Sequence, residues 1–226
     1  ILPPAPRQGV VINLPELRLY YYPPGTNTVV TAPVGIGREG WATPLGVTRV
    51  VAKEKDPYWY PTESVRADAE RLGHPIPKMF PPGPDNPLGN YVMRLAWNTY
   101  LIHGTNNPAG VGLRSSAGCI RMYPEDIESI YKRVPVGTQV RVINEPLKMA
   151  WENEKLYVEV HPLLSDEPTP ASMDTPSLVN KVSDIARAKN ALIQWSAAKS
   201  ALAQPTGIPT VIASKANKNG EQLGME

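Results

Sequence analysis

The only cysteine of the chain, Cys119, lies sixteen positions after His103, which is one of three histidines. The stretch around them, LIHGTNNPAGVGLRSSAGCIRM over residues 101–122, is rich in glycine and small polar residues. A cysteine acts as a nucleophile when a nearby imidazole accepts the thiol proton and a third group holds that imidazole in one tautomer. The oxyanion formed on attack needs hydrogen-bond donors, which are often backbone N–H groups. The two side chains are therefore candidates for covalent catalysis.

The residues beside these two side chains favour that interpretation. Gly118 lets the backbone next to Cys119 approach a substrate without an intervening Cβ, and residues 115–117 are small. The apolar residues before His103 place it at the end of a strand. Cys119 lies between the glycine-rich loop and a predicted helix. Strand ends and loop–helix junctions are places where side chains meet in a cleft.

Other interpretations fit the same residues. A lone cysteine is usually a small buried hydrophobe, and a lone histidine beside apolar residues is usually a hydrogen-bonded core residue. A metal site would combine His103 and Cys119 with His74 or His161, but these residues lack the close pairing typical of a zinc site. We therefore predict no metal, and covalent catalysis by a thiol requires no cofactor.

Composition limits the class of protein. The chain has 226 residues, of which 42% are apolar, enough for one domain with an appendage or for two small domains. Its net charge of +2 gives no argument for a nucleic-acid partner. The sequence has no apolar run of about 20 residues, so we predict no stable membrane insertion. The chain begins at Ile1, and we expect a processed or truncated piece that a signal peptide could have preceded.

Strand-like patterns dominate residues 9–144, and only two short helices interrupt them. The first helix is predicted over residues 62–73, with Thr62 as N-cap and Gly73 as its end. The second follows Tyr123, with Pro124 in its first turn and acidic and basic residues at the ends that the helix dipole favours. This pattern predicts a mainly β domain, built as a sandwich or as a pair of packed sheets.

The segment 57–89 differs from the rest of this domain. It contains eight prolines and the aromatic residues Tyr58, Trp59 and Tyr60. A long insertion between strands of a compact domain is more often a functional lid than slack chain. The aromatic residues would form a wall beneath that lid, or they would serve ordinary loop packing.

The strand-rich pattern of residues 9–144 does not continue after Glu145, so we divide the chain there. We predict a proline-rich linker over residues 1–8, a catalytic domain over 9–145 and a C-terminal subdomain over 146–226. The subdomain would contain a strand within LYVEVHPLL, a linker marked by three prolines, and one amphipathic helix whose apolar face would pack on the β domain or on a partner. The last twenty residues are polar at their end and are expected to fray. The positions taken for the helix face are Leu178, Val182, Ile185, Leu192 and Trp195.

The chain resembles the L,D-transpeptidases of bacterial cell walls, and most of all their Gram-negative periplasmic group with an N-terminal LysM module. The resemblance covers roughly residues 9–162 and includes His-Gly-Thr followed by Ser-x-Gly-Cys-x-Arg. It implies a YkuD-like β-sandwich of mixed sheets with short helices and a proline-rich lid, followed by a C-terminal helical appendage. The matching segments are VINLPELRLYYYPPG, PVGIGREGWATPLGVTRV, YLIHGT, VGLRSSAGCIRM and GTQVRVINEP.

The resemblance also implies a mechanism and a set of residues. Cys119 would attack the carbonyl between the diamino acid and D-Ala of a peptidoglycan tetrapeptide stem, and His103 would protonate the leaving D-Ala. The acyl group would then pass to an amine, as in a cysteine-dependent acyltransferase. The Gly104 carbonyl would orient His103. The backbone N–H groups of Gly118 and Cys119 would donate to the oxyanion, and Ser116, Tyr58 and Trp59 would contact the substrate. Arg121 would contact a substrate carboxylate, brace the loop or form a surface ion pair.

The acceptor stays open at this point. It would be a second stem, the C-terminal lysine of an outer-membrane lipoprotein, or the water or amino acid of hydrolysis and exchange. The resemblance places the protein in the periplasm and implies that a carbapenem acylates Cys119. One departure from the family is Ala117, where many members have a histidine associated with the oxyanion region. Ala117 is the only support for the alternative of a catalytically inactive peptidoglycan-binding module.

A papain-like cysteine peptidase is a third interpretation. It is disfavoured because the histidine precedes the cysteine in this chain. The chain also lacks a helix that begins at the thiol with a tryptophan beside it.

Overall fold

The computed structural model describes residues 1–170, 173 and 175–215. The chain forms two compact units, one comprising Pro6–Ile143 and the other Ile1–Ala5 together with the chain from Asn144 onwards. The boundary lies within two residues of the predicted end of the catalytic domain. Residues 1–5, which we predicted as part of a linker, instead group with the C-terminal unit.

A mixed sheet of eight strands builds the first unit. Its strand order is β3-β2-β1-β10-β5-β6-β7-β9, and β4 and β8 form a separate parallel pair. The pairs β1–β10 and β7–β9 are parallel, whereas the other neighbours in the large sheet are antiparallel. The strands are β1 Gly9–Asn13, β2 Arg18–Tyr22, β3 Val30–Pro33, β4 Ile36–Gly37, β5 Gly46–Lys55, β6 Tyr91–Leu95, β7 Leu101–His103, β8 Arg114–Ser116, β9 Ile120–Arg121 and β10 Gln139–Ile143.

The long strand β5 joins the two halves of this sheet. Its first residues, Gly46–Arg49, pair with β10, and the part from Val50 onwards pairs with β6. The register shifts between Val50 and Ala52, and such irregularities bend a strand and increase its twist. The prediction of a mainly β fold with mixed sheets and short helices is confirmed.

The two helices of this unit also match their predictions. Helix α1 spans Glu63–Arg71, and the Val65 amide donates to the Thr62 hydroxyl at 3.3 Å. Gly73, with a φ of +78°, follows its last turn. Helix α2 spans Pro124–Arg133. Both helices therefore lie where the sequence predicted them, α1 after the N-cap Thr62 and α2 from Pro124.

A buried amide side chain, that of Asn86, joins separate parts of the insertion 57–89. Asn86 is 1% exposed, and its Nδ2 donates to the carbonyls of Pro57 at 2.8 Å and Pro81 at 3.1 Å. Its Oδ1 accepts from the Leu88 amide at 2.9 Å. A buried side chain with this many partners is costly to displace. The two ends of the insertion are thereby fixed to each other.

The second unit contains an antiparallel sheet with the order β11-β12-β14-β13 and two helices. Its core combines apolar residues of the sheet, such as Leu156 and Ile212, with the buried face of the first helix. No helix in the described part of the chain is long and apolar enough to cross a membrane. The elements are β11 Leu147–Glu152, β12 Lys155–Val160, α3 Thr175–Arg187, β13 Ala191–Ile193, α4 Trp195–Ala203 and β14 Thr210–Lys215.

The prediction of one helix running from Leu178 to Trp195 was wrong. Leu178 and Val182 are buried on α3, but the helix ends at Arg187. Asn190 adopts a φ of +50°, and Leu192 then pairs with Ser214 in the sheet. A left-handed residue ends a helix because it reverses the local backbone. The seven-residue spacing to Leu192 therefore arose by coincidence.

Two further expectations for this unit need correction. Pro176 was interpreted as part of a linker, but it is the second residue of α3, where proline is well tolerated. Part of the terminal segment that we expected to fray forms β14, an inner strand between β12 and β13. The expectation of fraying over residues 216–226 lies outside the described residues.

Candidate active site

The pairing of β7 with β9 brings His103 and Cys119 together. Ile102 lies opposite Ile120, and His103 lies opposite Arg121, in adjacent parallel strands. Side chains alternate along a strand, so the side chains of His103, Arg121 and Cys119 share one face. The thiol and the imidazole therefore project from the same face of two neighbouring strands.

His103 is buried and oriented by its own backbone neighbour. Its Nδ1 lies 2.5 Å from the carbonyl oxygen of Gly104. A ring nitrogen bonded to a carbonyl carries the proton, which leaves Nε2 as the acceptor. Burial, with a smaller contribution from Arg121, lowers the pKa of His103 to about 4 against the opposing bond to Gly104. At neutral pH the imidazole is thus an uncharged base.

The structure explains why residue 104 is a glycine. A Cβ atom there would lie 3.1 Å from Cγ2 of Ile127 and 3.3 Å from the Leu88 carbonyl oxygen. Gly89 approaches the same backbone, since its own Cβ would lie 2.7 Å from the Thr105 nitrogen. The end of the insertion thus packs directly against the peptide that holds the histidine ring.

Cys119 is partly exposed at the edge of a small apolar cluster formed by Leu88, Val92 and Leu101. Its Sγ lies 3.6 Å from the Thr99 carbonyl oxygen. Burial raises the pKa of the thiol to about 11, although the Leu101 backbone and Arg121 act in the opposite direction. At rest the site therefore holds a protonated thiol and a neutral imidazole.

A tight loop presents the thiol. Gly118 has a φ of +97°, and a Cβ there would lie 2.8 Å from Cε1 of Tyr100. The hydroxyl of Ser116 donates to the Cys119 carbonyl at 2.6 Å and accepts from the Gly118 amide at 3.2 Å. Ser116 is buried and its hydroxyl braces the loop. The substrate contact that we predicted for Ser116 stays a prediction.

The same contacts alter the predicted pair of oxyanion donors. The N–H of Gly118 is engaged with Ser116, so an oxyanion would have to displace that bond. The N–H of Cys119 donates to no group among the residues that the structure describes. Of the two predicted backbone donors, only the N–H of Cys119 is unengaged within the described part of the chain.

Arg121 lies half-buried on the same face as His103 and Cys119. Its Nη1 donates to the Ser115 hydroxyl at 3.3 Å, and its buried Nε has no partner. No carboxylate in the described chain forms an ion pair with it. A Cβ at Gly110 would lie 2.3 Å from Nη1, so this glycine provides room for the guanidinium. The predicted surface ion pair is absent, which leaves both loop bracing and substrate binding.

The aromatic residues of the insertion divide between two environments. Trp59 packs against the apolar cluster that also contacts Cys119, and its ring lies 5.1 Å from that of Phe80. Tyr58 and Tyr60 are 50% and 67% exposed, and their rings stack at 6.5 Å. Of the three aromatic residues, Trp59 is therefore the one that packs against the same apolar cluster as Cys119.

Three residues that lie near Cys119 or Gly118 were not identified from the sequence. Thr99, at a φ of +69°, supplies the carbonyl beside the thiol, and Tyr100 packs against Gly118. The short connection between β6 and β7 was a usable signal, because a hairpin leading into His103 must turn near the site. The Thr43 hydroxyl donates to the Gly118 carbonyl oxygen at 2.9 Å. The two residues are 75 positions apart in the sequence, so no local pattern predicted this contact.

We expect alkylation of Cys119 by iodoacetamide to keep accelerating above pH 8.5. The raised pKa of about 11 means that the thiolate fraction grows about tenfold per pH unit up to pH 10. Intact mass measures the rate directly, since the chain has one cysteine. The same protein unfolded in guanidinium should level off near the ordinary thiol pKa of about 8.5. A plateau below pH 7 in the folded protein would instead indicate a preformed thiolate–imidazolium pair.

Comparison with known proteins identifies the family of the chain. The family model described as YkuD, the L,D-transpeptidase catalytic domain, matches residues 7–142. The probable L,D-transpeptidase YbiS of Escherichia coli K12 is 47% identical over 167 residues, covering 73% of this chain and 54% of the relative. The probable L,D-transpeptidase YcfS of the same strain is 47% identical over 172 residues, covering 74% and 54%.

A further relative and a solved structure complete the comparison. The probable L,D-transpeptidase ErfK/SrfK of Salmonella typhimurium LT2 is 47% identical over 167 residues, covering 73% of this chain and 54% of the relative. The structure of the Ldtfm–avibactam carbamoyl enzyme is 24% identical, with a TM-score of 0.49 over 62% of this chain and 50% of that one. The chain spans about half the length of the curated relatives it matches. The match of the family model over residues 7–142 shows that this chain belongs to the YkuD family of L,D-transpeptidase catalytic domains.

Proposed function

We propose that this chain is a peptidoglycan L,D-transpeptidase that works through an acyl-enzyme on Cys119. The observation that carries the proposal is the register of β7 and β9, which puts His103, with its Nδ1 held by Gly104, on the same face as the only thiol of the chain. The acyl donor would be the bond between the diamino acid and D-Ala of a tetrapeptide stem.

The first half-reaction forms a thioester. The sulfur attacks the carbonyl carbon of the diamino acid while the thiol proton passes to Nε2 of His103. The N–H of Cys119 donates to the oxyanion, which needs a donor only once charge develops. Collapse breaks the C–N bond, and His103 returns the proton to the amine of the leaving D-Ala. Because burial favours the neutral form of both resting groups, we expect proton transfer to accompany attack.

The second half-reaction reverses these roles. An amine of the acceptor attacks the thioester carbonyl, and Nε2 of His103 removes a proton from that amine. Collapse of the intermediate breaks the C–S bond, and the sulfur leaves with the proton as a thiol. The site returns to its starting state, as a transferase requires.

Arg121 would bind a carboxylate of the donor stem. Its half-buried guanidinium has no acidic partner within the described part of the chain, and its Nε is unsatisfied. An arginine fork matches a carboxylate in geometry and charge. This contact would orient the stem so that the carbonyl of the diamino acid meets the sulfur.

The insertion would exclude water from the acyl-enzyme. Leu88 and Gly89, at its end, contact the backbone beside His103, and Trp59 packs near Cys119. A closed site favours an amine over water as acceptor. Tyr58 is exposed on the outer surface and would contact the parts of the substrate that remain outside the cleft.

The acceptor and the location are part of the proposal. We propose action in the periplasm, with a second stem or a lipoprotein lysine as acceptor. The alternative of an inactive wall-binding module rested on Ala117, which is exposed. The unengaged N–H of Cys119 supplies an oxyanion donor without a side chain at that position, and this favours the enzyme.

Incubation with a disaccharide tetrapeptide and a peptide ending in the lipoprotein lysine tests the proposal. We expect release of D-Ala, a thioester adduct in the intact mass, and a product that joins stem to stem or stem to lysine. Cys119→Ala is the control and should give none of these. A wild-type protein that binds the stem without releasing D-Ala would support the inactive module.

A further inference from the structure

Thr43 lies in the connection between β4 and β5, seventy-five positions from the residue it contacts. It is 4% exposed. Its Oγ1 donates to the carbonyl oxygen of Gly118 at 2.9 Å and accepts from the Gly37 amide at 3.1 Å. The hydroxyl is therefore fixed by two partners, and one of them belongs to the peptide unit that precedes the nucleophile.

The direction of that peptide unit decides where the Cys119 N–H points. In a trans peptide the C=O and the following N–H point in opposite directions. Thr43 holds the Gly118 C=O on its own side, so the N–H of Cys119 is turned away from Thr43. This is the N–H that has no acceptor in the part of the chain that the structure describes.

The neighbouring backbone keeps Thr43 in place. A Cβ at Gly37 would lie 2.0 Å from the Trp41 carbonyl oxygen and 2.9 Å from the Thr43 nitrogen, so the connection folds tightly back on β4. A Cβ at Gly118 would lie 3.4 Å from the Ala42 carbonyl oxygen. The two segments therefore meet at backbone contact distance, with little room for the peptide unit to rotate.

We propose that Thr43 is a positioning residue that aims the N–H of Cys119 at the oxyanion of the acyl-transfer intermediate. The inference rests on the proposed function, because only an acyl-transfer reaction needs an oxyanion donor. The Gly118 N–H already donates to Ser116. The N–H of Cys119, whose direction Thr43 fixes, is therefore the donor that is preorganised for this task.

Two reagents that modify the same sulfur separate this role from a structural one. Alkylation by iodoacetamide requires the thiolate but forms no oxyanion, whereas acylation by imipenem passes through a tetrahedral oxyanion. We expect Thr43→Val to slow acylation by about 10- to 100-fold, since removal of one oxyanion donor costs about 10²–10³. Alkylation should change by no more than about twofold, because the thiol keeps its surroundings. Intact mass follows both reactions on the single cysteine.

The matched variant is Thr43→Ser, which keeps the hydroxyl and should retain an acylation rate within about threefold of wild type, since the hydrogen bond to Gly118 survives. Melting temperatures show whether Thr43→Val is folded, and if it is not, Thr43→Ser and Thr43→Ala are compared by the ratio of the two rates. An equal fall in both rates, or an unchanged ratio, overturns the inference. A wild-type protein that is alkylated but never acylated by imipenem or by the tetrapeptide refutes the proposed function instead.

Discussion

His103→Gln is expected to lower the rate of acyl-enzyme formation at pH 7 by about 10³-fold or more, because members of a catalytic pair act as a unit. The glutamine amide is too weakly basic to accept the thiol proton. With the thiol pKa raised to about 11, very little thiolate is present without a base. The rate of D-Ala release from the tetrapeptide measures the effect.

The pH dependence of this variant provides an internal control. As pH approaches 11, hydroxide generates the thiolate directly, so we expect the gap between wild type and His103→Gln to narrow steadily. A structural defect would leave the gap constant. A loss of less than about tenfold at pH 7 would contradict the assignment, because a dispensable base contributes little to catalysis.

The strand that ends at His103 could be predicted from the sequence because its pattern is local. The pairing of β7 with β9, which puts His103 and Cys119 on one face, was not predicted. The contact of Thr43 with Gly118 could not be predicted, since it joins residues 75 positions apart and leaves no periodic signal. The use of the Ser116 hydroxyl within the loop was also hidden, because a small polar residue near a nucleophile suits either role.

The C-terminal unit shows how periodicity can mislead. Leu178 and Val182 do share a buried helix face, but Leu192 continues the same spacing in a strand and is exposed. The hairpin of β11 and β12 turns through Asn153 and Glu154, both at positive φ. A glutamate at such a position is unusual, so the sequence lacks the Asn-Gly signal that normally identifies a two-residue turn.

Gly118→Ala is expected to reduce acylation of Cys119 by about 100-fold or more, since small misplacements of a nucleophile cost about that much. At a φ of +97° an L-residue is strained, and the new Cβ would meet the Tyr100 ring at 2.8 Å. The loop must shift to relieve the backbone strain and the clash with Tyr100. This shift would move the sulfur and turn the peptide unit held by Thr43. The rate of imipenem acylation, followed by intact mass, measures the loss.

Gly25→Ala is the matched control for backbone strain. Gly25 has a φ of +71° in the connection between β2 and β3, and a Cβ there meets nothing within 4 Å. It should destabilise the protein without changing acylation by more than about twofold, because it lies outside the machinery of the site. Adding Tyr100→Leu to Gly118→Ala should recover part of the rate by removing the steric clash, while the strain at φ remains. If Gly118→Ala alone kept at least half of the wild-type rate, the loop would not hold the nucleophile in the way that its conformation indicates.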